Sequence, residues 1–194
     1  MSAPESSLAE LVEKLSADIE SGANPVVLID GRSGSGKTTL ALQLINEIFS
    51  RTQLKPQLVH MDDLYPGWES LSAGAWMLVA DILEPFSRGR EAQYQKWNWA
   101  TGERGDGGEP GNGWRTVSPN APLIVEGCGS ASKASRYLAD QAIWVSASLE
   151  DRISRLASRD SDRFRAFQEL WSSQEEEFYE LEGSVMLCSY QIKN

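Results

Sequence analysis

The sequence holds one histidine and two cysteines in 194 residues. Cys128 and Cys188 show neither metal-ligand spacing nor a disulfide framework, so they read as thiols in a reducing cytosol. No apolar run approaches the roughly 20 residues of a membrane-spanning helix. The opening MSAPESSLAELVEK lacks the basic stretch and apolar core of a secretory signal. Basic residues are also in deficit, 18 Lys and Arg against 28 Asp and Glu, for a net charge of -10. That balance disfavours nucleic acid as a partner. It also means that an anionic ligand needs a local positive pocket. A cytoplasmic protein with no membrane partner is expected, and its oligomeric state is left open, a homodimer among the options.

What is present is ordinary for a globular chain, with 41% hydrophobic and 24% charged residues. The length predicts one domain over 1–194. Ser7 and Glu10 form a capping box, and Leu8, Leu11, Val12, Leu15 and Ile19 follow at helical spacing to about Glu20. Val26 to Ile29 is a short β-branched run of the kind buried on both faces of a sheet. Further strands are predicted over 57–61, 123–125, 142–145 and 185–190. Helices are predicted through Leu40, Leu44, Ile45 and Ile48, and over 73–86, 149–158 and 162–182. In the last of these Phe164, Phe167, Leu170, Trp171, Phe178 and Leu181 read as core, and Glu175, Glu176 and Glu177 as a solvated face. Strands alternating with helices predict an α/β fold, with a parallel sheet of about five strands, helices on both faces and a lid helix. The stretch 88–119, rich in Gly, Trp and charge, reads as a hairpin or insertion over a site and not as core.

Between the first strand and the following helix lies Gly31-Arg32-Ser33-Gly34-Ser35-Gly36-Lys37-Thr38, followed by Thr39. The G-x-x-x-x-G-K-T spacing is that of a phosphate-cradling P-loop. Its glycines let backbone N–H groups face phosphates, and the helix start adds its dipole. Lys37 reaches the terminal phosphates and Thr38 offers a hydroxyl to Mg²⁺. ATP or a close relative is the expected ligand.

Ligands of open α/β sheets sit at the carboxyl ends of the strands, where the sequence delivers Asp30, Asp62, Asp63 and Glu126. Asp62 is the candidate base toward an acceptor hydroxyl and Glu126 the candidate metal-side acid. The competing readings are a turn cap for Asp62, and more so for Asp63, and a structural anchor for Glu126. Arg152, Arg155, Arg159 and Arg163 form one stripe if helical, suited to a lid closing on phosphates or to a solvated face paired with nearby carboxylates. Tyr65, Trp68, Tyr94, Trp97 and Trp99 offer either a clamp for a flat or apolar acceptor or a satellite core. His60 reads as a strand residue, and Cys128 as a small buried residue near the site.

GRSGSGKTT, HMDDLYPGW, YQKWNWATGE, PLIVEGCGS and RISRLASRDSDR together resemble the P-loop kinases of small metabolites, in particular the uridine kinase, phosphoribulokinase and pantothenate kinase group. The resemblance spans about Val26 to Arg163. It implies ATP as donor, a small-molecule hydroxyl as acceptor, Asp62 as base, Mg²⁺ near Thr38 and Glu126, and lid contacts from Arg155 and Arg159. Asn98 stands where uridine kinases carry Asp, so the acceptor stays open.

Overall fold

The computed structural model describes residues 8–159 and 166–194, without the side chain of Arg159. Ser7, Arg163 and Phe164 therefore lie outside the described residues. Five strands make one parallel sheet: β1 (Val26–Asp30), β2 (Gln57–His60), β7 (Leu123–Glu126), β8 (Gln141–Ser146) and β9 (Tyr190–Lys193), in the order β2-β7-β1-β8-β9. Each residue of β1 is buried. Its register sets Leu28 beside Val125 on one side and Ala142 on the other.

Because side chains alternate across a strand, the sheet feeds two cores. Val27, Ile29, Ile124, Ile143 and Val145 pack under helices α1 (Leu8–Glu20) and α2 (Lys37–Thr52) through Leu11, Leu15, Leu44 and Ile48. Val26, Leu28, Val59, Leu123, Val125 and Trp144 face the other way. They meet the helical stretch of α3 (Leu71–Met77), a π segment (Leu78–Leu83) and α4 (Glu84–Ser87). Packed on the same side is α7 (Gln168–Glu182), which follows the short α5 (Lys133–Arg136) and α6 (Leu149–Arg159). The π segment falls immediately before Pro85, which has no N–H to give the carbonyl of Asp81.

Two sequence expectations are corrected. Over 185–190 a strand was expected, but Ser184–Leu187 forms a short helix, α8, and the strand starts at Tyr190. A short apolar run does not by itself separate strand from helix, and Gly183, at φ 66, ends α7 and turns the chain. The stretch 88–119 does contain hairpins: β3 (Ala92–Gln95) pairs antiparallel with β6 (Trp114–Val117), and β4 (Trp97–Asn98) with β5 (Glu103–Arg104). It is not excluded from the core, however, since Ala92, Tyr94 and Val117 are buried within it.

Candidate functional site

The loop between β1 and α2 is shaped by contacts that leave no room for side chains. A Cβ on Gly31, at φ 149, would run into the carbonyl oxygen of Val145. One on Gly127, at φ 140, would run into the Met61 side chain. Beneath the loop, Asp30 is fully buried. It accepts from the amides of Gly31 (2.7 Å), Gly129 (2.9 Å) and Ala131 (2.8 Å) and from the Tyr179 hydroxyl (2.8 Å). Burial raises its pKa, while the backbone and Tyr179 hydrogen bonds and the Lys37 charge oppose that rise. Asp30 thus ties the loop to the turn after β7 and to α7, and faces no ligand space.

Lys37 opens α2 and folds back over the loop, donating to the carbonyls of Gly31 (2.7 Å) and Arg32 (3.1 Å) and to Cys128 Sγ (3.5 Å). Burial pulls its pKa down, yet the net shift is upward. A Cys128 thiolate would raise it, but burial pushes that thiol up to about 12. At neutral pH the carboxylates of Glu126, Glu175 and Asp30 therefore hold the ammonium charged.

At the end of β7, Glu126 accepts from Thr38 Oγ1 at 3.1 Å and lies 2.6 Å from His60 Nδ1. That hydrogen bond is the main reason the pKa of His60 is raised, against the opposing effect of burial. The Thr38 hydroxyl and Glu126 carboxylate are thus neighbours at the cavity lining. This fits Mg²⁺, which takes one or two protein oxygens and completes its shell with phosphate and water.

A cavity of about 560 Å³ runs along these groups, within the range of small-molecule sites. Ser33, Gly34, Gly36, Lys37, Thr38, Thr39 and Glu126 line it together with Asp62, Tyr65, Trp68, Trp99 and Trp171. Asp62 sits in the turn Met61–Asp63 directly after β2. Its carbonyl accepts from Trp99 Nε1 at 2.9 Å. Trp68 stacks on Phe167 with centroids 5.1 Å apart and meets Trp99 at 4.7 Å. Tyr65 is buried at the cavity lining and donates its hydroxyl to the carbonyl of Cys128 at 2.6 Å.

Not every candidate reaches this cavity. Trp97 is not on its lining and instead lies under the Arg104 guanidinium, 5.5 Å from CZ to the ring centroid. Tyr94 is core. Arg32 pairs with Glu176 at 3.1 Å, away from the cavity lining, and Ser35 is buried behind the loop. Helix α6 does lie on the phosphate loop: Arg155 donates to the carbonyls of Gly34 (3.2 Å) and Ser35 (3.3 Å), and Arg152 to that of Ser33 (3.3 Å). Arg159 is the last residue of α6.

Two sequence readings are overturned here. Glu175 is not on a solvated face: it is 1% exposed and accepts from the Ser33 amide at 2.7 Å. The signal was in the spacing, since Glu175 is four residues after Trp171 and three before Phe178, both buried, which puts it on the inward face of the helix. Leu170 and Leu181, read as core, are exposed. His60 was read as a strand residue and is the last residue of β2; its contact with Glu126 depends on β2 lying beside β7, with His60 in register with Glu126.

No protein-family model and no curated protein sequence matches the chain. Among solved structures it is similar to a "possible uridine kinase" from Bacillus stearothermophilus, with a TM-score of 0.64 and 19% identity over 95% of this chain and 98% of that one. It is also similar to a "putative fructose transport system kinase" from a Silicibacter species, with a TM-score of 0.53 and 16% identity over 93% of this chain and 98% of that one. At these identities the likeness is one of fold. The chain has the α/β P-loop kinase-like fold of these proteins, with the five-stranded parallel sheet expected from its sequence.

Proposed function

We propose that the chain is an ATP-dependent phosphotransferase that moves the γ-phosphoryl group to a hydroxyl of a small metabolite, acting as one domain in the cytoplasm. The observation that carries this reading is a cavity lined both by the phosphate loop and by Asp62 among aromatic rings. Transfer needs donor phosphates and acceptor oxygen held in line, and little covalent chemistry from the protein.

In this reading the amides at the start of α2 and the Lys37 ammonium hold the donor phosphates. Mg²⁺ held by Thr38 and Glu126 supplies charge neutralisation on the phosphate oxygens when bound. Asp62 accepts the proton of the acceptor hydroxyl or orients it. Arg155, on α6, turns from the loop carbonyls to the developing negative charge, and α6 with Arg159 at its end serves as the lid. Tyr65, Trp68, Trp99 and Trp171 give the acceptor an apolar wall of tilted and edge-on rings. That wall favours an acceptor with an apolar or aromatic face over a polyol.

The test is ADP release with Mg-ATP across a panel of nucleosides, pantothenate-like acids, sugars, polyols and aromatic alcohols, with Lys37→Ala as the inactive control. One acceptor raising the rate far above background supports the reading. Asp62→Asn is then expected to slow transfer by about 10²–10⁴-fold while ATP affinity is kept, and an unchanged rate removes the base role. ATP binding without stimulation by any acceptor would move the assignment to a nucleotide-binding regulatory or assembly module.

A further inference from the structure

Helix α7 carries Glu175 into the phosphate loop and holds it there. Gln174 Nε2 donates to the carbonyl of Trp68, Glu176 pairs with Arg32 at 3.1 Å, and the Tyr179 hydroxyl reaches Asp30 at 2.8 Å. These contacts flank Glu175 on both sides and dock this part of α7 against the loop and the Trp68 segment. Its Oε1 accepts from the Ser33 amide at 2.7 Å and from the Cys128 thiol at 3.2 Å. The same sulfur lies 3.5 Å from both Lys37 Nζ and Ser33 Oγ.

This matters because of where Ser33 stands. The β-phosphate of a P-loop ligand seats on the amides at the helix start, from Gly36 onward, and the lysine extends to the terminal phosphate. Ser33 lines the cavity ahead of the helix start, on the Cys128 side where Lys37 also points. A carboxylate already holds this amide, and it brings a negative charge to within one thiol of the lysine. A third phosphate meets that charge, whereas a second phosphate seated at the helix start meets it less. Like charges in a poorly solvated site repel strongly.

We propose that Glu175 is a specificity-determining residue of this site, biasing the loop against nucleoside triphosphate and toward diphosphate. The proposal rests on the nucleotide reading of the site, though not on any acceptor. It gives the chain a resting state in which the triphosphate competes with the chain's own carboxylate.

The experiment is calorimetric titration of the full chain with ATP, ADP and AMP, comparing the unaltered protein with Glu175→Gln and Glu177→Gln. The glutamine keeps an oxygen to accept from Ser33 and removes the charge. Glu177 is exposed on the same helix, so Glu177→Gln removes an equal charge that water already screens. The expected result is an ATP-to-ADP affinity ratio about tenfold higher in Glu175→Gln and unchanged in Glu177→Gln. An unchanged ratio in Glu175→Gln, or the same change in both variants, overturns the proposal. If Glu175→Gln fails to fold by circular dichroism, Glu175→Asp, which draws the charge back by one methylene, is expected to shift the ratio in the same direction by less, and no shift overturns the proposal. Nucleotide binding with an unmoved ratio leaves the kinase reading standing. No binding of ATP or ADP by any of the proteins removes both.

Discussion

Asp30 and Glu109 are both carboxylates with several hydrogen-bond donors, in regions built by different means. Asp30 is fully buried at the end of the central strand and gathers the amide of its neighbour Gly31 together with two backbone amides and a tyrosine hydroxyl from distant parts of the chain. Glu109, in the hairpin stretch, accepts from Lys96 at 2.6 Å and Arg115 at 2.9 Å, with its side chain 34% exposed. Water can replace the partners of Glu109 and cannot replace those of Asp30. The phosphate loop is thus fixed by bonds that are expensive to leave unmade, and the hairpin by ion pairs of small net value. Arg104 stands between the two. Part-buried on β5, it donates to the carbonyls of Asp63 (3.1 Å), Leu64 (2.6 Å) and Gln95 (2.9 Å), and so pins the hairpin to the turn that carries Asp62.

Asp30→Ala should give the largest effect on stability. It leaves three buried amides and the Tyr179 hydroxyl without their acceptor, at an expected cost of about 3 kcal/mol by urea denaturation. A loss no larger than that of a surface substitution would remove the contrast between the two regions. Arg104→Ala is expected to cost less, about 2 kcal/mol, and to reduce phosphoryl transfer as well by loosening the Asp62 turn. A stability loss with full transfer activity would show the turn to be held without the hairpin. The smallest effect belongs to Glu109. Its hydrogen bonds from Lys96 and then Arg115 hold its pKa below the usual glutamate value. The stability it lends is therefore present above the ordinary glutamate range and lost as the pH falls through the lowered value. Amide hydrogen exchange over 92–117 should rise across that acid window, rise less in Glu109→Gln, and lose its pH dependence in high salt.

The two regions also differ in how readable they are. GRSGSGKT follows a β-branched run and opens a helical pattern, and each of those signals is local, so loop, strand and helix were legible together. Asp62 and Glu126 were legible as residues at the ends of predicted strands. The hairpin was legible as a change in composition, but the burial of Ala92, Tyr94 and Val117 was not, because it depends on which surface the hairpin covers. Trp97 opens the two-residue strand β4 and Trp99 lies in the turn that follows it, and nothing local decides that Trp99 lines the cavity while Trp97 receives Arg104. Glu175 was misread because a run of three glutamates usually marks water, although its offset from Trp171 and Phe178 already placed it inward.

The sequence by itself determined the phosphate loop, the parallel α/β sheet and the carboxylates at its carboxyl end. Glycine spacing, β-branched runs and helical periodicity act within a few residues of chain, and backbone sterics suffice to specify them. Only the tertiary structure decided that His60 meets Glu126, that Asp30 ties three segments together and that Glu175 holds the Ser33 amide. Those contacts join residues 66 to 149 positions apart. They exist because sheet order and helix docking bring the groups together, and because a buried polar group must find its partner wherever the chain supplies one.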